Sequence, residues 1–190
     1  MKIRYNAPVV LTYTLISVLV LALGLNDFFT VSGYMDDWSN PINYFQLISH
    51  IAGHANWEHL IGNFTLILLI GPILEEKYGS QRLLVMILAT GLLTGILNIV
   101  LLDTGLLGAS GIVFMLIILS SISNAKAGEI PLTFILIALL YIGGEVMRAM
   151  GNDNVSQFAH ILGGVCGAFF GFVLKGNNGG SKKNKTTELI

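Results

Sequence analysis

The sequence is short of charged residues and of cysteine. Asp, Glu, Lys and Arg make up 11% of the 190 residues, the formal net charge is -1, and Cys166 is the one cysteine. One thiol excludes an internal disulfide and a metal site built from several cysteines, and its apolar, glycine-rich surroundings indicate a packing role. No run of Lys and Arg interleaved with aromatic residues precedes the C-terminal tail, which excludes a nucleic-acid partner.

Apolar residues are abundant instead. They form 54% of the chain, and the mean hydropathy is +0.75. A soluble domain of this size cannot bury so much apolar surface, so the lipid bilayer must be part of the solvent. The apolar residues fall in six runs, at 8–25, 57–74, 83–102, 110–123, 130–147 and 158–174. We therefore predict an all-α membrane protein with six transmembrane helices.

The segments between and after these runs differ in character. Residues 42–52 lie in an aromatic-rich loop and are expected to form a short helix at the membrane–water interface. The polar residues 75–78 are expected to end the second span, with Gly79 closing its helix. Beyond the last run the chain is rich in Gly, Asn and Lys. We predict one transmembrane domain over residues 1–174 and a flexible polar tail over 175–190.

The basic residues indicate the orientation of the six spans. With six crossings both termini lie on one side, and that side holds nearly all of the positive charge. Its basic residues are Lys2, Arg4, Lys77, Arg82, Lys126, Lys175, Lys182, Lys183 and Lys185, whereas Arg148 falls on the other side. By the positive-inside rule both termini are cytoplasmic, as in a multi-pass protein of the cell membrane. A signal peptide is disfavoured for residues 8–25 because the run is too long and lacks a clear Ala-x-Ala site.

Four polar residues share one depth in this arrangement. Ser110, His160, Asn63 and His59 lie about 24, 22, 21 and 27 Å, respectively, from the cytoplasmic lysine at the end of their own helix, at about 1.5 Å per residue. In a hydrocarbon core about 30 Å thick, this depth is below the outer surface. Polar groups there are costly and usually face a partner or a water-filled cavity. We therefore expect a polar site that opens to the extracytoplasmic side.

Ser110 is the candidate nucleophile. It stands between Gly108 and Gly111 at the start of an apolar helix, whose N-terminal N–H groups and dipole favour negative charge. The glycines are expected to let a substrate backbone approach closely. A neutral His160 can take the Ser110 proton as general base and return it to the leaving amine. No carboxylate lies beside it at that depth, so a Ser-His dyad is expected.

His59 and Asn63, four residues apart, share one helix face and can both donate hydrogen bonds. With the Ser110 backbone N–H they would form an oxyanion hole. A metal site is the rival interpretation, because His50 and His54 are close by in the sequence. It is disfavoured because these two lie in the loop and no His-Glu-x-x-His motif is present. We expect no metal and no cofactor.

Structural interpretations of the same residues stay open. Serine is a common helix cap, and lone intramembrane His or Asn residues often form hydrogen bonds between helices. The glycines after His160, among them Gly163, are interpreted as a small-residue packing face. This interpretation also serves the chemistry, because close approach of the fourth and sixth spans is what would bring His160 to Ser110.

Three motifs, in this order, resemble those of the rhomboid intramembrane serine proteases over most of the chain from 46 to 174. They are His50, His54, His59 and Asn63 in the second-span region, then Gly108-Ala109-Ser110-Gly111, then Ala159-His160-Ile161-Leu162-Gly163. The resemblance implies a six-helix core with a Ser110–His160 dyad. It also implies an oxyanion site formed by His59, Asn63 and the Ser110 amide. The implied reaction is cleavage of other proteins' transmembrane helices near their outer ends, within the lipid bilayer.

The sequence departs from the family pattern at two positions. Many bacterial members carry Trp-Arg in the first external loop, where this chain has Trp38 followed by Ser39. The family often has Tyr four residues after the nucleophile to stack on the base, and here Phe114 keeps the ring without the hydroxyl. Neither departure removes a catalytic group.

The preferred function is therefore an intramembrane serine endopeptidase. Because an intact helix hides its peptide groups in hydrogen bonds, a substrate helix must unwind before its carbonyl reaches Ser110. We expect substrates with Gly, Pro or polar residues near the cut, which enter between spans two and five. The alternatives are a catalytically silent rhomboid-like client-binding protein and a small transporter. No internal repeat of broken helices supports the transporter.

Overall fold

A computed structural model describes residues 2–32, 39–102, 104–123, 129–149 and 154–174, and for 141–149 and 154–156 the backbone alone. Its helices are α1 (Pro8–Ala22), α2 (Asn26–Phe29), α3 (Pro41–Ser49), α4 (Trp57–Tyr78), α5 (Ser80–Leu101), α6 (Ser110–Ile122), α7 (Leu132–Ala149) and α8 (Asn154–Val173), with a 3-10 turn at His50–Ala52. Within these ranges the only extended pairing is one antiparallel bridge, between Val31 and Leu106. The predicted all-α fold is confirmed, and the predicted polar tail lies outside the described residues.

Each of the six apolar runs forms a helix, and these helices are α1, α4, α5, α6, α7 and α8. Residues 42–52, for which a short interfacial helix was predicted, are helical as part of α3 and the 3-10 turn, whereas the short α2 was not predicted. With 22 residues each, α4 and α5 extend about 33 Å and are long and apolar enough to cross a bilayer. Shorter apolar helices are Pro8–Ala22, Ser110–Ile122 and Gln157–Val173.

The α4 helix is longer than the second apolar run. α4 continues through Pro72 and Glu75 to Tyr78, and Gly79, at φ 87°, closes it as expected. The polar residues at 75–78 therefore belong to the helix instead of interrupting it. Glu75 is only 3% exposed, so its charge must be satisfied by other parts of the protein.

The Glu75 carboxylate caps the N-terminus of α1. Oε1 accepts the Val9 N–H at 3.0 Å and the Ser80 hydroxyl at 2.7 Å, while Oε2 accepts the Val10 N–H at 3.0 Å. α1 begins at Pro8 without a side-chain cap of its own, and its first N–H groups have no partner inside the helix. A negative charge at this end also complements the helix dipole. One side chain thus joins the starts of α1 and α5 to the end of α4.

We expect Glu75→Gln to destabilise the protein by about 2 kcal/mol, because an amide offers one acceptor oxygen where the carboxylate offers two. Glu76→Gln is the matched control, since Glu76 is adjacent and exposed. Thermal unfolding in detergent micelles measures the difference. Equal midpoints for the two variants would contradict the capping role.

α6 is the central helix of the bundle and packs most closely on α8. It also contacts α4, α5 and α7, and most of its side chains are buried. A Cβ added at Gly163 would overlap the Gly111 carbonyl oxygen and lie 2.8 Å from its carbonyl carbon. One turn further along, a Cβ added at Gly167 would overlap the Met115 carbonyl oxygen. The predicted small-residue face is confirmed, and it brings the two backbones into direct contact.

Gly163→Ala is expected to force α6 and α8 apart and to destabilise the protein by about 1–3 kcal/mol, as overpacking does in other cores. Gly62→Ala on α4 is the control, because nothing lies within 4 Å of a Cβ added there. Replacing that glycine by alanine should be neutral or stabilising by up to about 1 kcal/mol. Thermal midpoints that fall by the same amount in both variants would argue against the backbone contact.

Candidate active site

Ser110 is the first residue of α6. Ala109, which precedes the helix, provides no side-chain cap, so the structure does not show Ser110 acting as a helix-capping serine. Ser110 is partly exposed, whereas Ala109 and Gly111 are buried. Because the N–H groups of a first helical turn have no partner within the helix, Ser110 offers both a hydroxyl and a backbone donor at this helix end.

The segment before the helix, residues 104–109, forms the Ser110 loop. It is held from α5, from the segment after α2 and from the 3-10 turn. Asn98 Nδ2 donates to the Thr104 carbonyl at 2.8 Å, and the Gly108 N–H donates to the His50 carbonyl at 3.0 Å. Val31 and Leu106 exchange two backbone hydrogen bonds, at 3.1 and 3.0 Å. Non-helical backbone is tolerated at membrane depth only where protein or a water-filled cavity satisfies it. These anchors give four backbone groups of the loop partners within the protein and fix the approach to Ser110.

The space beside the two glycines of the serine motif is filled by protein groups. Gly108 has φ 129°, a conformation that L residues rarely adopt, and an added Cβ would lie 2.8 Å from Cε1 of His59. At Gly111 an added Cβ would lie 3.1 Å from the Ala159 carbonyl oxygen. From the sequence, this space was expected to admit a substrate backbone. The structure instead uses it to bring His59 and α8 close to Ser110.

His160 lies on the face of α8 that packs on α6. Its ring stacks on Phe114, with ring centroids 4.3 Å apart and 35° between the planes. The stacking expected of this aromatic ring is confirmed. Phe114 lies one turn beyond Ser110, and the Ala159 carbonyl contacts Gly111, which follows Ser110. The imidazole is thereby placed at the first turns of α6.

His59 and Asn63 lie on α4, next to the Ser110 loop. The backbone N–H of His59 donates to Oδ1 of Asn56 at 2.8 Å, which caps the start of α4. The His59 ring lies beside Gly108 and 5.1 Å, centroid to centroid, from the ring of His54. Asn63 Nδ2 is 3.1 Å from Nε2 of His54. The structure therefore places His59 against the loop that precedes the serine and links Asn63 to that loop through His54.

His50 and His54, which were predicted to lie in the loop before the second apolar run, are both buried. His54 is 0% exposed and His50 is 2% exposed. The Ala109 N–H donates to Nε2 of His54 at 3.5 Å, and Nε2 of His50 lies 3.1 Å from the Gly91 carbonyl oxygen. Burial lowers the pKa of both to about 4, with the nearby His59 adding to the effect at His54. Both rings are thus neutral at pH 7 and belong to the protein interior.

Among the residues that the structure describes, no three His, Cys, Asp or Glu side chains gather closely enough to hold a metal ion. The polar contacts of His50 and His54 are with backbone groups, with Asn63 and with Thr94.

Sequence reasoning missed the polar residues of α5. Thr90, Thr94 and Asn98 are buried and follow one another at intervals of four. Thr94 Oγ1 lies 3.4 Å from Nε2 of His50, and Asn98 anchors the Ser110 loop. The signal was present in the sequence, because polar residues at every fourth position of an apolar helix mark an inward-facing stripe.

These features define a class of protein, a helical membrane bundle with a buried polar site around a serine at a helix N-terminus. The Rhomboid domain matches residues 41–177 of the chain. The chain therefore belongs to the rhomboid family, whose members are generally intramembrane serine proteases acting on transmembrane substrates. The family expected from the three motifs is confirmed.

Three relatives illustrate the similarity. YdcA, a rhomboid-family protein of Bacillus subtilis (strain 168), is 31% identical over 146 residues, which are 74% of this chain and 71% of YdcA. Rhomboid-related protein 1 of Caenorhabditis elegans is 33% identical over 138 residues, covering 66% of this chain and 38% of that protein. The rhomboid protease GlpG of Haemophilus influenzae is 23% identical over 129 residues, covering 66% and 67% of the two chains.

We expect Gly108→Ala to destabilise the protein by about 2 kcal/mol, since a side chain at this φ is strained and also meets the His59 ring. Gly105→Ala is the control within the same loop, because a Cβ there would make an ordinary contact of 3.5 Å with Thr30. Thermal unfolding in micelles compares the two. A Gly108→Ala protein as stable as Gly105→Ala would show that the loop accepts a side chain next to His59.

Proposed function

We propose that this protein is an intramembrane serine endopeptidase in which Ser110 is the nucleophile and His160 the general base. The observation that carries the proposal is the packing of α8 on the first turns of α6, where the His160 ring stacks on Phe114 at 4.3 Å. Backbone contact between Gly111 and Gly163 supports the proposal, because it packs the helix that carries Ser110 against the helix that carries His160. A Ser-His dyad can carry out acyl transfer without a metal or a cofactor.

The proposed reaction begins when Ser110 Oγ attacks the scissile carbonyl carbon and its proton passes to His160. Negative charge develops on the carbonyl oxygen, where the Ser110 N–H, His59 and Asn63 are the donors. Each such donor typically contributes about 3 kcal/mol to stabilising the transition state. His160 then protonates the leaving amine, and a water molecule activated by the same base hydrolyses the acyl enzyme.

The length of α6 supports an active site sunk into the membrane. Its 13 residues extend about 20 Å, roughly 10 Å less than the hydrocarbon core. With its C-terminal end at the cytoplasmic surface, α6 would hold Ser110 below the outer surface, open to the extracytoplasmic side. In this proposal α1, α4, α5, α6, α7 and α8 are the six spans of one cell-membrane domain, residues 1–174. Both termini are cytoplasmic, with a polar tail at 175–190.

The proposed substrates are transmembrane helices of other proteins. A helix must unwind near the cut before its carbonyl can reach Ser110, which favours substrates with Gly, Pro or polar residues there. The second and fifth spans are α4 and α7, and a substrate is proposed to pass between them. α7 packs against α6 and α8.

Purified protein in liposomes, given a transmembrane substrate with glycines near its outer end, tests the proposal. We expect wild-type protein to cleave it and Ser110→Ala to reduce kcat by about 10⁴-fold or more, because the nucleophile is lost. Ser120→Ala is the matched control on the same helix, where the hydroxyl only bonds to the Ile117 carbonyl at 2.8 Å. A fluorophosphonate should label wild-type and Ser120→Ala protein but not Ser110→Ala.

Two results would overturn this function. Absence of cleavage by wild-type protein, with the substrate helix retained on it, would favour a non-catalytic client-binding member of the family. If the Ser110→Ala protein still cleaved the substrate and a chelator stopped that cleavage, the reaction would depend on a metal ion and not on Ser110.

A further inference from the structure

His54 is buried within the site but has no part in the proton transfers of the proposed reaction. Its ring is 0% exposed and has three polar neighbours. These are the Ala52 carbonyl oxygen, 3.4 Å from Nδ1, and two donors facing Nε2, which are Asn63 Nδ2 at 3.1 Å and the Ala109 N–H at 3.5 Å. One imidazole thus contacts an oxyanion residue of α4 and the residue that precedes Ser110.

A single tautomer of His54 is compatible with all three contacts, with the two donors sharing the Nε2 lone pair. A carbonyl oxygen can only accept, so Nδ1 must carry the hydrogen that faces Ala52. In a neutral imidazole Nε2 is then an acceptor, which suits the Ala109 N–H and the amide NH₂ of Asn63. Burial and the nearby His59 lower the pKa of His54 to about 4. The ring therefore stays neutral at the pH of a cell.

The same contact determines how the Asn63 amide is turned. If the amide were flipped, its oxygen would face the lone pair of Nε2, which is repulsive, and no hydrogen bond would form. With NH₂ toward His54, one of the two amide hydrogens is bonded and the other remains available as a donor. A rotated or mobile Asn63 would present an acceptor oxygen to a developing negative charge.

We propose that His54 is a positioning residue of the oxyanion site, which holds the Asn63 amide in its donating orientation and ties it to the N–H before Ser110. This inference rests on the proposed function, because it assigns a role within that reaction. It adds a residue that acts through Asn63 and does not itself touch the substrate. The Ser110 loop and α4 are then coupled by one side chain.

A double-mutant cycle in kcat tests this role, with His54→Leu, Asn63→Ala and the double variant measured in the liposome assay. We expect Asn63→Ala to lower kcat by about 10²-fold and His54→Leu by about 10-fold or more. The kcat of the double variant should be close to that of Asn63→Ala and well above the value expected if the two single losses multiplied, because His54 acts mainly through the residue already removed. His54→Gln should recover most of the lost kcat, because the glutamine carbonyl oxygen can accept hydrogen bonds from the same donors. KM should change little in every variant.

The outcomes separate this inference from the proposed function. If wild-type protein cleaves and Ser110→Ala does not, but the effects at His54 and Asn63 multiply, the positioning role is wrong while the protease stands. A failure of His54→Gln to recover kcat at an unchanged thermal midpoint would also overturn it. If wild-type protein does not cleave, both proposals fall.

Should the His54 variants not fold, ¹⁵N NMR of histidine-labelled wild-type protein tests the inference instead. An Nε2–H tautomer at His54 contradicts the inference, and an Nδ1–H tautomer supports it.

Discussion

Along Gly163 and Gly167, the backbone of α8 lies against the carbonyl groups of Gly111 and Met115 on α6. In lipid there is little hydrophobic force between helices, so close packing and hydrogen bonds must hold them together. A contact between two backbones does not depend on side-chain rotamers and leaves the helices little freedom to shift. The stacking of the His160 ring on α6 depends on this contact.

Several polar groups around this contact are hydrogen-bonded within the protein, and the same hydrogen bonds shape the site. The Ser110 loop is held by the His50 carbonyl, the Asn98 amide and the His54 ring. In a bilayer an unsatisfied backbone group costs several kcal/mol, since no water replaces the missing partner. The groups that stabilise the loop are therefore also the groups that orient it, which is how a buried site can be both stable and preorganised.

Local patterns in the sequence were enough to predict part of this arrangement. Hydropathy located the six apolar helices, and the start of α6 at Ser110 followed from the glycines and the apolar run. Phe114 was expected to stack on the His160 ring, and the two rings do stack. The partners of Glu75 could not be predicted, because Val9 and Val10 precede it by 66 and 65 residues. His54 was assigned to the loop for a similar reason, since its burial depends on how that loop folds against α4 and α6.

The sequence by itself determined the helical class and the approximate helix ends. Hydropathy and helical periodicity are local properties, and they act over a few turns. Only the tertiary structure decided that His59 fills the space beside Gly108 and that α8 fills the space beside Gly111. It also decided which hydrogen-bond donors face His54. Those outcomes depend on contacts between distant residues, whose geometry is set by packing of whole helices and not by any single segment.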